Sequence, residues 1–69
     1  MDHENKKLIC YLLLQTLRRT RAGHDIDDLV YYPGSEEVVI KWKSGFRRIV
    51  GVEADSGIAM IRDIIRGIS

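Results

Sequence analysis

Residues 41 to 48, KWKSGFRR, bring four cationic side chains, a Trp, a Phe and a Gly into eight positions. Cations at that density suit contact with phosphates, while aromatics on either side of Ser-Gly suit the tip of a β-hairpin. The other residues able to do chemistry are sparser. Asp25, Asp27 and Asp28 in DIDD could hold a hard cation, but an EF-hand loop needs oxygen ligands at regular positions and a later Glu, and that spacing is absent. They read as solvated loop acids. His24 is expected beside the end of a helix, where it meets the negative end of the helix dipole. Cys10 lies among apolar neighbours and reads as a small buried hydrophobe with a raised pKa. Ser35, Ser44 and Ser56 have turn or capping roles, and the glycines form no phosphate-binding loop. No catalytic residues, cofactor or metal site are therefore expected, and an enzyme is not.

Composition bounds the rest. Sixty-nine residues, 45% of them hydrophobic and 30% charged, make one small globular domain spanning 1–69. A single cysteine excludes an intramolecular disulfide and a thiolate zinc site, so a cytoplasmic setting is expected. The run LICYLLL, residues 8 to 14, is too short to span a bilayer and is followed by QTLRRTR rather than a cleavage site. It reads as part of a helix. The net charge of +1 hides blocks of +3 over residues 1–23, −5 over 24–37, +4 over 38–51 and −1 over the remainder. Basic regions could thus meet on one side of the molecule.

Residues 4 to 22 lack Gly and Pro and stop before Gly23, which predicts a first helix. At 100° per residue, Ile9, Leu12, Leu13, Thr16 and Leu17 form the face expected against a sheet. Leu8, Tyr11 and Leu14 then share the outer side with Lys7 and Arg18. LVYY, residues 29 to 32, and EVVIKW, residues 37 to 42, predict strands joined by a type II turn with Gly34 at positive φ. A third strand follows KSG. A three-residue turn pairs Trp42 with Phe46 and puts Val38, Ile40, Trp42, Phe46, Arg48, Val50 and Val52 on one face. A two-residue turn at Ser44-Gly45 would scatter that set, so the hydrophobic pattern favours the first register. The final segment carries Asp55 and Ser56 as candidate N-caps and a stripe of Ile58, Ile61, Ile64, Ile65 and Ile68.

The expected fold is α+β, in the order α-β-β-β-α, a three-stranded antiparallel meander with two helices packed on one face. This order resembles that of the double-stranded-RNA-binding domain across nearly the whole chain. That family contacts RNA through a lysine-rich start to its last helix and a Gly-Pro-x-His loop. Here the helix begins DSGIAMIRD and the loop reads PGSEE. The resemblance therefore implies the fold and carries no RNA-binding role.

Two functional expectations follow. The first is a non-catalytic interaction module that self-associates or binds a protein partner through the first helix or the outer sheet face, using Leu8, Tyr11, Leu14, Val39 and Ile49. These apolar side chains exceed what one small core consumes. The alternative is a nucleic-acid-binding accessory protein that uses Arg18, Arg19 and Arg21 with Lys41, Lys43 and Arg47. Neither expectation includes a membrane or a small-molecule substrate.

Overall fold

The structure, a computed structural model, describes residues 2–54 and 56–68. Helix α1 spans His3–Leu17, strands β1, β2 and β3 span Ile26–Tyr32, Glu37–Trp42 and Arg47–Gly51, and helix α2 spans Gly57–Ile68. The strands form an antiparallel sheet in the order β1-β2-β3. Helix α1 lies against β1, and α2 lies over β2 and β3 while touching α1. The small α+β fold and its element order are as the sequence implied.

Helix α1 starts where Asp2 accepts a hydrogen bond from the Asn5 amide at 2.8 Å. It ends at Leu17, earlier than the glycine pattern suggests, because Thr20 intervenes. The Thr20 amide and hydroxyl both donate to the Leu17 carbonyl, at 2.9 and 2.7 Å, and the hydroxyl accepts from the Gly23 amide at 3.1 Å. Residues 18 to 25 become a tight turn, and β1 begins at Ile26 rather than Leu29. Gly23 remains essential to that turn, since a Cβ there would strike the Leu17 carbonyl. A bulge between Ile26 and Asp28 then bends the start of β1.

The hairpin between β2 and β3 takes the three-residue form. The Trp42 amide donates to the Phe46 carbonyl at 2.9 Å, Gly45 adopts φ 96°, and Val38 pairs with Val50 and Ile40 with Arg48. Trp42 and Phe46 close it as a tilted ring pair with centroids 5.1 Å apart, although Phe46 stays exposed. The other hairpin departs from expectation. Positive φ falls on Glu36, at 51°, and not on Gly34, so the turn between β1 and β2 is not type II. Helix α2 is capped by Ser56, whose hydroxyl accepts from the Ala59 amide at 3.3 Å. Asp55, the other candidate cap, lies outside the described residues.

Burial corrects the faces of both helices. The inner stripe of α1 is Lys6, Cys10 and Leu14, one residue every four, with Ile9, Leu13 and Leu17 half-buried beside it. Leu12 and Thr16 are exposed. Leu14 is 7% exposed and belongs to the core, so its expected place on the outer side is wrong. The stretch from Leu8 to Leu14 is apolar nearly all round, and its periodicity alone leaves the rotation of the helix undetermined. Helix α2 centres on Met60 and Ile64, both fully buried, leaving Ile58 82% exposed. The sheet contributes Ile26, Leu29, Tyr31, Val38 and Ile40, with Val52 just beyond β3, to the same core. Gly67 lets the end of α2 sit directly on the Ile40 and Val50 side chains.

The two loop glycines should respond differently to an added methyl. Gly23→Ala is expected to cost about 1–3 kcal/mol because backbone must move, whereas Gly34→Ala, with open space around it and no positive φ, should stay within about 0.5 kcal/mol of the parent. Urea denaturation of both variants measures the difference.

Candidate functional site

Lys6 is the most deeply placed ionisable residue, 2% exposed. Its ammonium donates to Glu36 Oε1 at 3.1 Å and to the Val52 carbonyl at 2.8 Å, and it lies 6.0 Å from the centroid of the Tyr31 ring. The Val52 amide donates to the Glu36 carbonyl at 2.9 Å. One cation thus ties α1 to the β1–β2 turn and to the end of β3. Tyr31 Oη is 2.7 Å from His3 Nδ1, extending the network to the first turn of α1. Burial and the neighbouring Glu36 carboxylate push the Tyr31 phenol above its ordinary value, with Lys6 opposing them. Sequence periodicity missed this group because a lysine on a helix is read as solvated. The signal that could have exposed it is the i, i+4, i+8 spacing of Lys6 with Cys10 and Leu14.

Cys10 sits beside this network, and burial together with Asp28 raises its thiol to about 11. That is the inert thiol the sequence implied, since the thiolate is the nucleophile. Among the described residues no group of three or more His, Cys, Asp or Glu side chains could hold a metal ion. Asp28 accepts from the Leu29 amide at 2.8 Å, and His24 Nδ1 lies 2.6 Å from the Arg21 carbonyl in the turn rather than at the helix end.

The candidate interface residues fall on two sides of the molecule. On α1, Leu8 and Tyr11 are exposed with Leu12 beside them, and Leu14 is absent from that surface for the reason given above. Leu12 also borders a shallow groove of about 250 Å³ between the helices, floored by Ile9, Leu13 and Ile61. On the outer sheet face the register builds three rows across the strands. Val30, Val39 and Ile49 form the middle row, Asp28, Lys41 and Arg47 one flank, and Tyr32, Glu37 and Gly51 the other. Ile49 is 63% exposed and Val39 half-buried. A groove of about 580 Å³ crosses this face, lined by Val39, Ile49, Glu37, Lys41, Arg47, Tyr32 and the turn at residues 33–35.

The basic residues divide. Arg18 is engaged internally, its guanidinium donating to the carbonyls of Ile26 and Asp27 at the β1 bulge. Arg19 and Arg21 are exposed in the turn after α1. That turn lies at the same end of the sheet as Lys43, whose amide donates to the Asp25 carbonyl at 2.9 Å. Lys41 and Arg47 stand opposite one another on the outer face. Arg48 belongs to the inner face, where it donates to the Gly67 carbonyl at 3.2 Å near the end of α2. Comparison with protein-family models, with curated proteins and with solved structures finds no match for this chain.

Two outcomes test the network. Glu36→Ala, which leaves the buried ammonium without its carboxylate, should cost about 1–3 kcal/mol, while Lys6→Met, which removes the charge and keeps the packing, should cost less; urea unfolding gives both values. Because the folded state holds the Cys10 proton more tightly than the ordinary thiol value of 9.0, stability should be complete below that pH and fall as pH rises towards about 11. Tyr31 acts in the same direction. The Cys10 share is up to about 2 kcal/mol, and Cys10→Ala should flatten the fall, as urea midpoints taken across that pH range would show.

Proposed function

We propose that this chain is a non-catalytic interaction module that self-associates or binds a protein partner through the outward side of α1 and the outer face of the sheet. The observation that carries this reading is the contiguous exposure of Leu8, Tyr11 and Leu12 on α1, with Ile49 exposed over Val39 on the opposite side of the molecule. Soluble monomers rarely leave such patches open, because each exposed methylene forfeits burial worth about 0.8 kcal/mol. The titratable cluster around Lys6 supports a structural role over a catalytic one, since its groups are engaged with one another and its central amine is closed to solvent. A lone buried thiol agrees with a reducing, cytoplasmic location. No helix of the described residues is long and apolar enough to cross a membrane.

The alternative, a nucleic-acid-binding accessory protein, has one specific observation in its favour: Lys41 and Arg47 lie side by side, at the end of the sheet that also carries Lys43, Arg19 and Arg21. Asp25, Asp27 and Asp28 are interspersed at that end, and Arg18 is occupied internally, so the protein-interaction reading is preferred. Binding to DNA or RNA at about 50 mM salt that weakens when Lys41, Lys43 and Arg47 are neutralised would reverse the preference.

A photoreactive phenylalanine analogue at Tyr11 or Ile49 should crosslink, in the native cell, either to a second copy or to a defined protein partner. Folded protein that yields no crosslink from either position would remove the proposal.

A further inference from the structure

Resting on the interaction-module reading, we infer that the outer sheet face pairs with the same face of a second copy of this chain, about a twofold axis that runs across the strands through Val39. The argument begins with charges left open. Lys41, Arg47 and Glu37 lie on this face and take part in none of the ion pairs among the described residues. Lys41 and Arg47 are moreover directly opposite each other on neighbouring strands, an arrangement that like charges disfavour. Asp28 stands across from Lys41 on the other neighbouring strand but forms no ion pair with it, so a carboxylate from a second molecule can still be taken up here.

A second copy supplies it by symmetry. The apolar row through Val39 and Ile49 is central, with Lys41 and Arg47 on one flank, next to Asp28 at the β1 edge, and Glu37 on the other. Rotation by 180° about that row lays Val39 on Val39 and Ile49 on Ile49 and sets Lys41 over Glu37 of the partner subunit, twice. Rotation about the strand direction would instead set Lys41 over Lys41 of the partner subunit and Glu37 over Glu37 of the partner subunit, two repulsions that the other arrangement avoids, even though Asp28 would then fall over Arg47 of the partner subunit. Charge therefore selects one of the two face-to-face arrangements, and the contact is isologous, as a closed dimer requires. Gly51 adds shape to charge. It lies beside Glu37 in the register, and its missing side chain leaves open space in the position that faces Arg47 of the partner subunit. Strands related in this way pack as two aligned sheets, a standard geometry.

The helical side offers no comparable argument: its apolar side chains carry no charge pattern that chooses an occupant. Size sets the strength of the dimer. The molecule measures 29 × 20 × 18 Å, so one face buries no more than a small interface, and dissociation in the micromolar range is expected.

Sedimentation velocity from low to several hundred micromolar is the test, with thermal melting as the check on folding. A reversible dimer is expected. Lys41→Glu and Glu37→Lys should each weaken it by about tenfold or more, and the double exchange should restore it to within a few-fold of the parent. Ile49→Glu should abolish it, and Gly51→Val should weaken it without lowering the melting temperature. A monomer throughout the range, a dimer indifferent to Ile49→Glu, or singly weakened variants that the double exchange fails to rescue would each overturn the inference. Failure of the wider reading looks different. A dimer that is broken by Leu12→Glu and ignores Ile49→Glu, or a monomer that crosslinks to another protein, overturns the sheet-face dimer and leaves the interaction module standing; a monomer without crosslinks removes both.

Discussion

The Lys6 ammonium is the constraint around which this small fold is arranged. A buried cation without partners costs several kcal/mol, so the chain must bring acceptors to it. It does so from two places distant in sequence, the Glu36 carboxylate and the Val52 carbonyl, and these are themselves joined through the Val52 amide and the Glu36 carbonyl. The left-handed backbone at Glu36 is part of the same arrangement. Once those bonds form, the rotation of α1 about its axis, the path of the β1–β2 turn and the exit of β3 are all determined together. Apolar contact has no such directionality. A helix with leucines and isoleucines on most sides could lie on this sheet in several rotations, and the charge selects among them.

This also explains what the amino-acid sequence did and did not disclose. The meander from Val38 to Val52 was legible because strand periodicity is two, so that a one-residue slip would expose an entire face, and because Gly45 alone suits the positive φ of the three-residue turn. Element order and the start of α2 were legible for similar reasons of local chemistry. Helix rotation was not. Cys10 and Leu14 line the inner stripe only because Lys6 leads it, and no hydrophobic count assigns a lysine to a core. The early end of α1 depended on Thr20, which offers its hydroxyl to Leu17 and so competes with continuation of the helix. The turn after β1 misled because Pro33-Gly34 is the better local signal for positive φ, yet Glu36 takes that conformation to reach Lys6. Of the residues named for a candidate interface, Val39 and Ile49 have an outward position that was legible from strand alternation alone, whereas Leu14 was misplaced by the error in helix rotation.

Two layers cannot cover three faces. With both helices on one side, the other side of a three-stranded sheet meets water, and its alternating residues must suit that exposure. Here the flanking rows are charged or polar enough to be solvated, while the middle row of Val30, Val39 and Ile49 is not. The helices show the converse. Their inner stripes are narrow, so Leu8, Leu12 and Ile58 fall outside the core although they are as apolar as the residues within it. A chain of this length has more large apolar side chains than one core can hold, and the surplus is distributed on both sides.

The central strand links these surfaces to folding. Val38 and Ile40 on β2 are fully buried against α2, and Val39 and Lys41 alternate with them in sequence but face the other way. Anything that binds the outer face therefore holds the strand that carries the centre of the core, and binding to the folded state alone adds its free energy to stability. For a domain whose core supplies only roughly 3–5 kcal/mol, an association of micromolar strength at concentrations well above its dissociation constant is a comparable contribution. Under the proposed association, folding and binding would not be separable properties: the six residues of β2 close the core with alternate side chains and turn the rest to the outer face.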